Sequence, residues 1–247
     1  MTPSLAVIVA VFVAAFASMA VYAVRGGSRD RDAEGKGAQL LFGAGDFLMH
    51  WFLWAMSPAE RAFLRLGVVP DHLNLAGLLL GLGSGLLIAS ARLEAAGWAI
   101  VLAGVCDILD GRIARALKLT SPYGKFIDST IDRFVETFVF VGFAWYLRAT
   151  PYGAVLAGAA LAASLLVSYA QARGETVGVS GSGGLMQRAE RMVLTFLACL
   201  FDGVVTRALV WPEGTVVMVM LWIVAGGAFA TSVHRTLWIG RRLKERA

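Results

Sequence analysis

Four aspartates in this sequence stand where acidic residues are costly and where their spacing suits chemistry. Asp107 and Asp110 sit near the end of one apolar stretch, and Asp128 and Asp132 near the start of the next. Spacings of three and four put each pair on one face of a helix, and the short connection 118–125 lets two antiparallel helices bring those faces together. An ionisable residue inside a membrane span points to function. Four carboxylates facing each other in a low dielectric would repel and take up protons unless cations neutralise them. All-oxygen donors suit Mg²⁺ or Mn²⁺, and four carboxylates can hold two ions. A two-metal clamp serves displacement at phosphorus, because it stabilises the attacking and leaving oxygens together. The neighbours fit the same chemistry. Gly111 and Ala114 remove bulk beside Asp110 so that a large ligand can approach the backbone. Arg115 adds a fixed cation for carboxylate or phosphate, and Gly124 opens the stripe that carries Asp128.

The elements that must hold these residues are membrane helices. Of the 247 residues, 58% are hydrophobic and 16% charged, against about 25% charged in a soluble domain, and the mean hydropathy is +0.70. At about 20 apolar residues per crossing, the length leaves room for roughly six to eight helices and no separate soluble domain. The run 5–24 is followed by Arg25, Arg29 and Arg31 with no positive charge before it, which predicts a retained anchor rather than a cleaved leader. Residues 26–37 form a polar linker. The segment 40–56, interrupted by Asp46 and His50 and carrying Trp51 and Trp54, reads as an amphipathic interfacial helix. Pro70 opens six further crossings, at 73–91, 95–117, 126–147, 152–172, 192–210 and 216–239. The organisation expected is thus anchor and linker over 1–37, interfacial segment over 38–69, and a six-helix catalytic domain over 70–247 of an all-α integral membrane protein.

Charge sets the orientation. Only Arg92, Arg148 and Arg207 fall at outer ends, leaving 22 − 3 = 19 basic residues at or near the cytoplasmic side. The positive-inside rule predicts a multi-pass protein of the cell membrane whose carboxylates open to the cytoplasm. The net charge of +5 fits anionic lipid at that face, and no nucleic-acid partner is expected. Gly77, Gly81 and Gly85 recur every four residues, a stripe that allows close helix approach. Cys106 and Cys199 lie in apolar runs and are expected as thiols. His50, His72 and His234 have no second ligand at metal spacing.

Written out, the motif is Asp107-x-x-Asp110-Gly111-x-x-Ala114-Arg115, eight residues, then Gly124-x-x-x-Asp128-x-x-x-Asp132. It resembles the complete signature of the CDP-alcohol phosphotransferase family. By residue usage, a match at all eight positions anywhere in the chain has a chance on the order of 10⁻⁷. The six-crossing layout from Pro70 onward is similar to the family's core, and the anchor at 5–24 is an addition to it. The resemblance implies that a CDP-linked lipid, usually CDP-diacylglycerol, gives its phosphatidyl group to a small polar alcohol and that CMP leaves. It implies metal ligation by Asp107, Asp110, Asp128 and Asp132, with two Mg²⁺ or Mn²⁺ ions and Asp132 as general base. Asp107, Asp110, Gly111, Ala114, Arg115 and Gly124 would then bind CDP, and a homodimer is expected.

The acceptor is read from two further stretches. Ser168 to Glu175 (SYAQARGE) and Gln187 to Arg191 (QRAER) resemble segments of phosphatidylinositol-phosphate synthases and their archaeal lipid counterparts, where basic residues hold the phosphate of inositol phosphate. Arg173, Arg188, Arg191 and Arg235 could form such a cradle. Gln171 departs from that pattern, because those enzymes commonly carry lysine there. Glycerol 3-phosphate, serine and free inositol stay open as acceptors. Glu136, one turn past Asp132, reads as structural, and Asp202 has no evident partner in sequence. Intramembrane prenyltransferases would need a second Asp-rich motif, which the sequence lacks. An ion-binding transporter, the alternative of another class, predicts broken helices and related halves and gives no reason for Gly111, Ala114 and Arg115.

Overall fold

A computed structural model describes residues 3–25, 45–179, 183–184 and 186–246; the linker at 26–37 and residues 38–44 of the interfacial segment lie outside the described residues. The elements are all helices: α1 (Pro3–Val24), α2 (Gly45–Arg65), α3 (Pro70–Ala89), α4 (Leu93–Ala116), α5 (Pro122–Tyr146), α6 (Gly153–Thr176), α7 (Arg188–Leu209) and α8 (Thr215–Lys244). The protein is membrane-embedded. Among the described residues, Leu5–Val24 of α1 and all of α3, α6, α7 and α8 are long and apolar enough to cross a bilayer. At 24 and 25 residues, α4 and α5 have the length, about 36 Å at 1.5 Å per residue, but carry the aspartate pairs.

Helix ends are set by local chemistry. The backbone of Ser121 is extended and its Oγ accepts the Gly124 N–H at 3.1 Å, while Pro122 takes the first helical position. Proline loses nothing there, since the first N–H of a helix has no partner inside it. The start of α8 follows Gly214, whose φ of 84° falls in the left-handed region that favours glycine.

The chain divides into two compact units. The first comprises residues 1–70 with 109–119. Here Trp51 of α2 donates its ring N–H to Ser18 Oγ of α1 at 2.9 Å, and Tyr22 packs against Phe47 and Trp54 with ring centroids 5.6 and 5.5 Å apart. The outer face of α1, with Val7, Val13 and Phe16, stays exposed, as suits a helix whose solvent is lipid. Arg112, on the final turns of α4, donates from Nε to Glu60 of α2 at 2.6 Å, with both side chains largely buried.

The second unit comprises 71–108 and 120–247. Ile88, Ile100, Phe143, Ala157, Cys199 and Leu221 belong to one buried core, which draws on all six helices of this unit. The glycine stripe serves packing inside the subunit. A methyl group on Gly81 would come within 2.5 Å of Val135, and one on Gly85 would strike the carbonyl of Phe138. The contact is mutual, because a methyl on Gly142 of α5 would lie 2.5 Å from the Gly85 carbonyl. The backbones of α3 and α5 therefore touch, and α5 is held where its first turns carry Asp128 and Asp132.

Candidate active site

Asp107 arrives on α4 and Asp128 and Asp132 on α5, and the three carboxylates offer oxygens that all lie within 4.8 Å of one another. Asp107 and Asp128 are half-buried and Asp132 is buried. The expected hairpin of helices thus brings together one member of the first pair and both of the second. Asp110 is buried one turn further along α4, within the first unit. Gly111, Ala114 and Arg115 follow it in that unit, and a methyl on Gly111 would meet only Arg115 Nη1, at 3.4 Å. Gly124 gives its N–H to the cap of α5.

The first residue of α7 completes the cluster. Arg188 donates from Nη1 to Asp107 Oδ2 at 2.9 Å and from Nη2 to Asp132 Oδ1 at 2.6 Å. Arg133 reaches Asp132 Oδ2 at 3.4 Å and the Ser129 carbonyl at 2.7 Å. Three carboxylates thus share one bridging guanidinium, with the half-exposed Arg133 at the edge of the cluster. The donors are all oxygen and lie within 4.8 Å of one another, against roughly 4.2 Å between opposite ligands of one octahedral Mg²⁺. By donor type, spacing and charge, the residues fit a divalent ion.

The four arginines expected to receive the acceptor occupy different settings. Arg191 is fully buried in a two-point pair with Glu136, at 2.7 and 3.2 Å, and also donates to the Met186 carbonyl at 3.1 Å. Glu136 is therefore structural, as its position suggested. Arg235 donates from Nη1 to the Val167 carbonyl at 3.1 Å. Arg173 is exposed and lines a groove of about 600 Å³ between α6 and α8, otherwise mostly apolar and including Leu166, Phe229 and Leu243. Buried nitrogens without a hydrogen-bond partner remain at Nε of Arg188 and Nε of Arg235.

Sequence reasoning also missed contacts away from the carboxylate cluster. Asp202 accepts three backbone N–H groups at the head of α8, from Gly214 at 2.9 Å, Val216 at 3.0 Å and Val217 at 3.3 Å. Another is the Arg112–Glu60 pair. For Asp202, the glycine-containing turn at 212–214 ahead of an apolar run was the available signal, since an acid belongs at a helix N-terminus.

Comparison with known proteins finds relatives over most of the chain. The CDP-alcohol phosphatidyltransferase family matches residues 67–233, a span that contains all eight signature positions. A phosphatidylinositol phosphate synthase of Streptomyces avermitilis is 35% identical over 202 residues, covering 79% of this chain and 82% of the relative. The crystal structure of Mycobacterium tuberculosis phosphatidylinositol phosphate synthase with CDP-DAG bound superposes with a TM-score of 0.65 at 27% identity, covering 74% of this chain and 92% of that one. The same enzyme in complex with manganese and citrate gives a TM-score of 0.65 at 27% identity, covering 74% and 87%.

Proposed function

The chain belongs to the CDP-alcohol phosphatidyltransferase family, and on that premise we propose that it transfers the phosphatidyl group of CDP-diacylglycerol to a hydroxyl of inositol phosphate, releasing CMP. The observation that carries this reading is the meeting of Asp107, Asp128 and Asp132 within 4.8 Å. By their places in the signature, Asp107, Asp110, Asp128 and Asp132 hold two divalent ions, Mg²⁺ or Mn²⁺. Asp107, Asp110, Gly111, Ala114, Arg115 and Gly124 hold the CDP moiety. When bound, the ions spread the pyrophosphate charge and make CMP a better leaving group. The carboxylate of Asp132 takes the proton of the acceptor hydroxyl. The hydroxyl oxygen bonds to the phosphatidyl phosphorus, the bond from that phosphorus to CMP breaks, and CMP leaves with its electron pair.

Acceptor choice is supported by the relatives, which bear the name phosphatidylinositol phosphate synthase, and by the arginines. Arg188 and Arg235 each keep a buried Nε without a partner, and a guanidinium with donors to spare suits phosphate. Arg191, held by Glu136, and Arg173, on the apolar groove, frame them. We assign α4 and α5 to the bilayer with the other core helices, because six crossings put both aspartate pairs at the basic, cytoplasmic face of the cell membrane. The working assembly is a homodimer.

Purified protein supplied with Mn²⁺, CDP-diacylglycerol and a panel of inositol phosphate, glycerol 3-phosphate, serine and inositol tests the reading. CMP release with inositol phosphate is expected, and Asp132→Asn should abolish it. Release with another alcohol alone would overturn the acceptor and leave the reaction. No release from protein that binds Mn²⁺ would overturn both.

A further inference from the structure

Arg188 lies across the two carboxylates that the reaction needs most. Its Nη1 and Nη2 are bound to Asp107 and Asp132 at 2.9 and 2.6 Å, one a ligand in the metal set and the other a ligand and the base. A guanidinium and a divalent cation compete for the same carboxylate lone pairs, and each repels the other at close range. We propose that Arg188 is an internal counter-cation that a divalent ion must displace, and that the displaced guanidinium then takes the acceptor's phosphate. Arg188 on this account binds the substrate directly, and the proposal rests on the metal-dependent transfer proposed above.

Three observations separate Arg188 from a static ion pair. First, its Nε is buried with no hydrogen-bond partner, so the carboxylates do not satisfy the side chain and an additional acceptor is called for. Second, Arg188 is the first residue of α7, behind an extended Gln187 whose side chain makes no cap. Third, Arg191 on the next turn is gripped at two points by Glu136 and at a third by the Met186 carbonyl, so α7 is anchored there and Arg188 can change partners without moving the helix. The bridge offsets part of the repulsion among the carboxylates. With an ion bound, that task is taken over, and a guanidinium beside the reacting centre is left for an anion.

Coupling of this kind is reciprocal: if the ion frees the arginine for phosphate, phosphate must raise affinity for the ion by the same factor. The test is Mn²⁺ binding to the full-length protein in detergent, read as loss of the free-ion electron paramagnetic resonance signal, with and without inorganic phosphate. Wild type is expected to bind Mn²⁺ more tightly when phosphate is present. Arg188→Gln is expected to bind Mn²⁺ about tenfold more tightly than wild type and to lose the phosphate effect, in line with the ~1.4 kcal/mol that a tenfold change represents. Equal or weaker Mn²⁺ binding by Arg188→Gln would overturn the proposal while leaving the metal site in place. So would a wild-type affinity indifferent to phosphate, a measurement that needs no variant to fold. Absence of Mn²⁺ binding in both proteins would overturn the metal-dependent reading itself.

Discussion

Two buried acids outside the signature hold structure, and each does so against a different kind of positive charge. Asp202 faces the partial charge of a helix N-terminus, accepting three N–H groups from a single turn of backbone, those of Gly214, Val216 and Val217. Packed against the protein, those N–H groups have little water to turn to, so the carboxylate stands in for solvent. Replacing it with alanine leaves them without acceptors, and Asp202→Ala should lose about 3 kcal/mol, the scale of a hydrogen bond to a charged group. Asp202→Asn, which keeps one acceptor oxygen, should lose less. Thermal unfolding in detergent reads both, and Mn²⁺ affinity of the folded protein should be unchanged. Glu136 faces a full charge, that of Arg191, with both side chains almost completely enclosed. Removing one partner from such a pair leaves an uncompensated charge, at about 3 to 5 kcal/mol. Glu136→Gln should accordingly unfold at markedly lower temperature than wild type.

Between elements, the glycines decide how close the helices come. Gly81 and Gly85 of α3 meet Val135 and the Phe138 carbonyl of α5, whereas Gly83, on another face of α3, has nothing within 4 Å of where a methyl would stand. Gly85→Ala must push the two backbones apart and should lower stability and, through the shifted start of α5, Mn²⁺ affinity. Gly83→Ala should be neutral or raise stability by up to about 1 kcal/mol, the helix-propensity difference between the two residues. Unfolding curves of the two variants side by side make the comparison. The stripe itself was legible in the sequence, as were the helices, because hydropathy reports what faces lipid. Hydropathy was a poorer guide to where helices begin: α5 and α7 each start four residues ahead of their apolar runs, and it is in that first polar turn of α7 that Arg188 sits. The four-residue spacing of Asp128 and Asp132 announced a shared face. The bond from Arg188 to Asp107, 81 residues apart, could not be announced, since it depends on which helix ends meet and not on any period within one helix. The same holds for Arg191 with Glu136 and for Arg112 with Glu60, 55 and 52 residues apart.

At the scale of the molecule, α4 is the element that both compact units share: Asp107 belongs to one, and Asp110, Gly111, Ala114 and Arg115 to the other. The signature is continuous in sequence while its surroundings change part-way along it. In the first unit, α2 grips α4 through Glu60 and Arg112, and Arg112 follows Gly111 in the chain, two residues ahead of Ala114. The N-terminal region thus touches the stretch of α4 that carries Asp110, Gly111, Ala114 and Arg115, and the carboxylate cluster of Asp107, Asp128 and Asp132 lies in the second unit. Glu60→Gln removes the charge 2.6 Å from Arg112 Nε and should weaken CDP-diacylglycerol binding by about tenfold, the effect of losing roughly 1.4 kcal/mol from the support of that turn. Mn²⁺ affinity should fall by less than lipid affinity, because three of the four carboxylates assigned to the metals lie in the second unit. Titration of both ligands against the variant decides the matter: equal losses for lipid and metal would mean that α4 responds as one rigid rod, and no loss for either would mean that α2 serves only to seat the chain in the membrane.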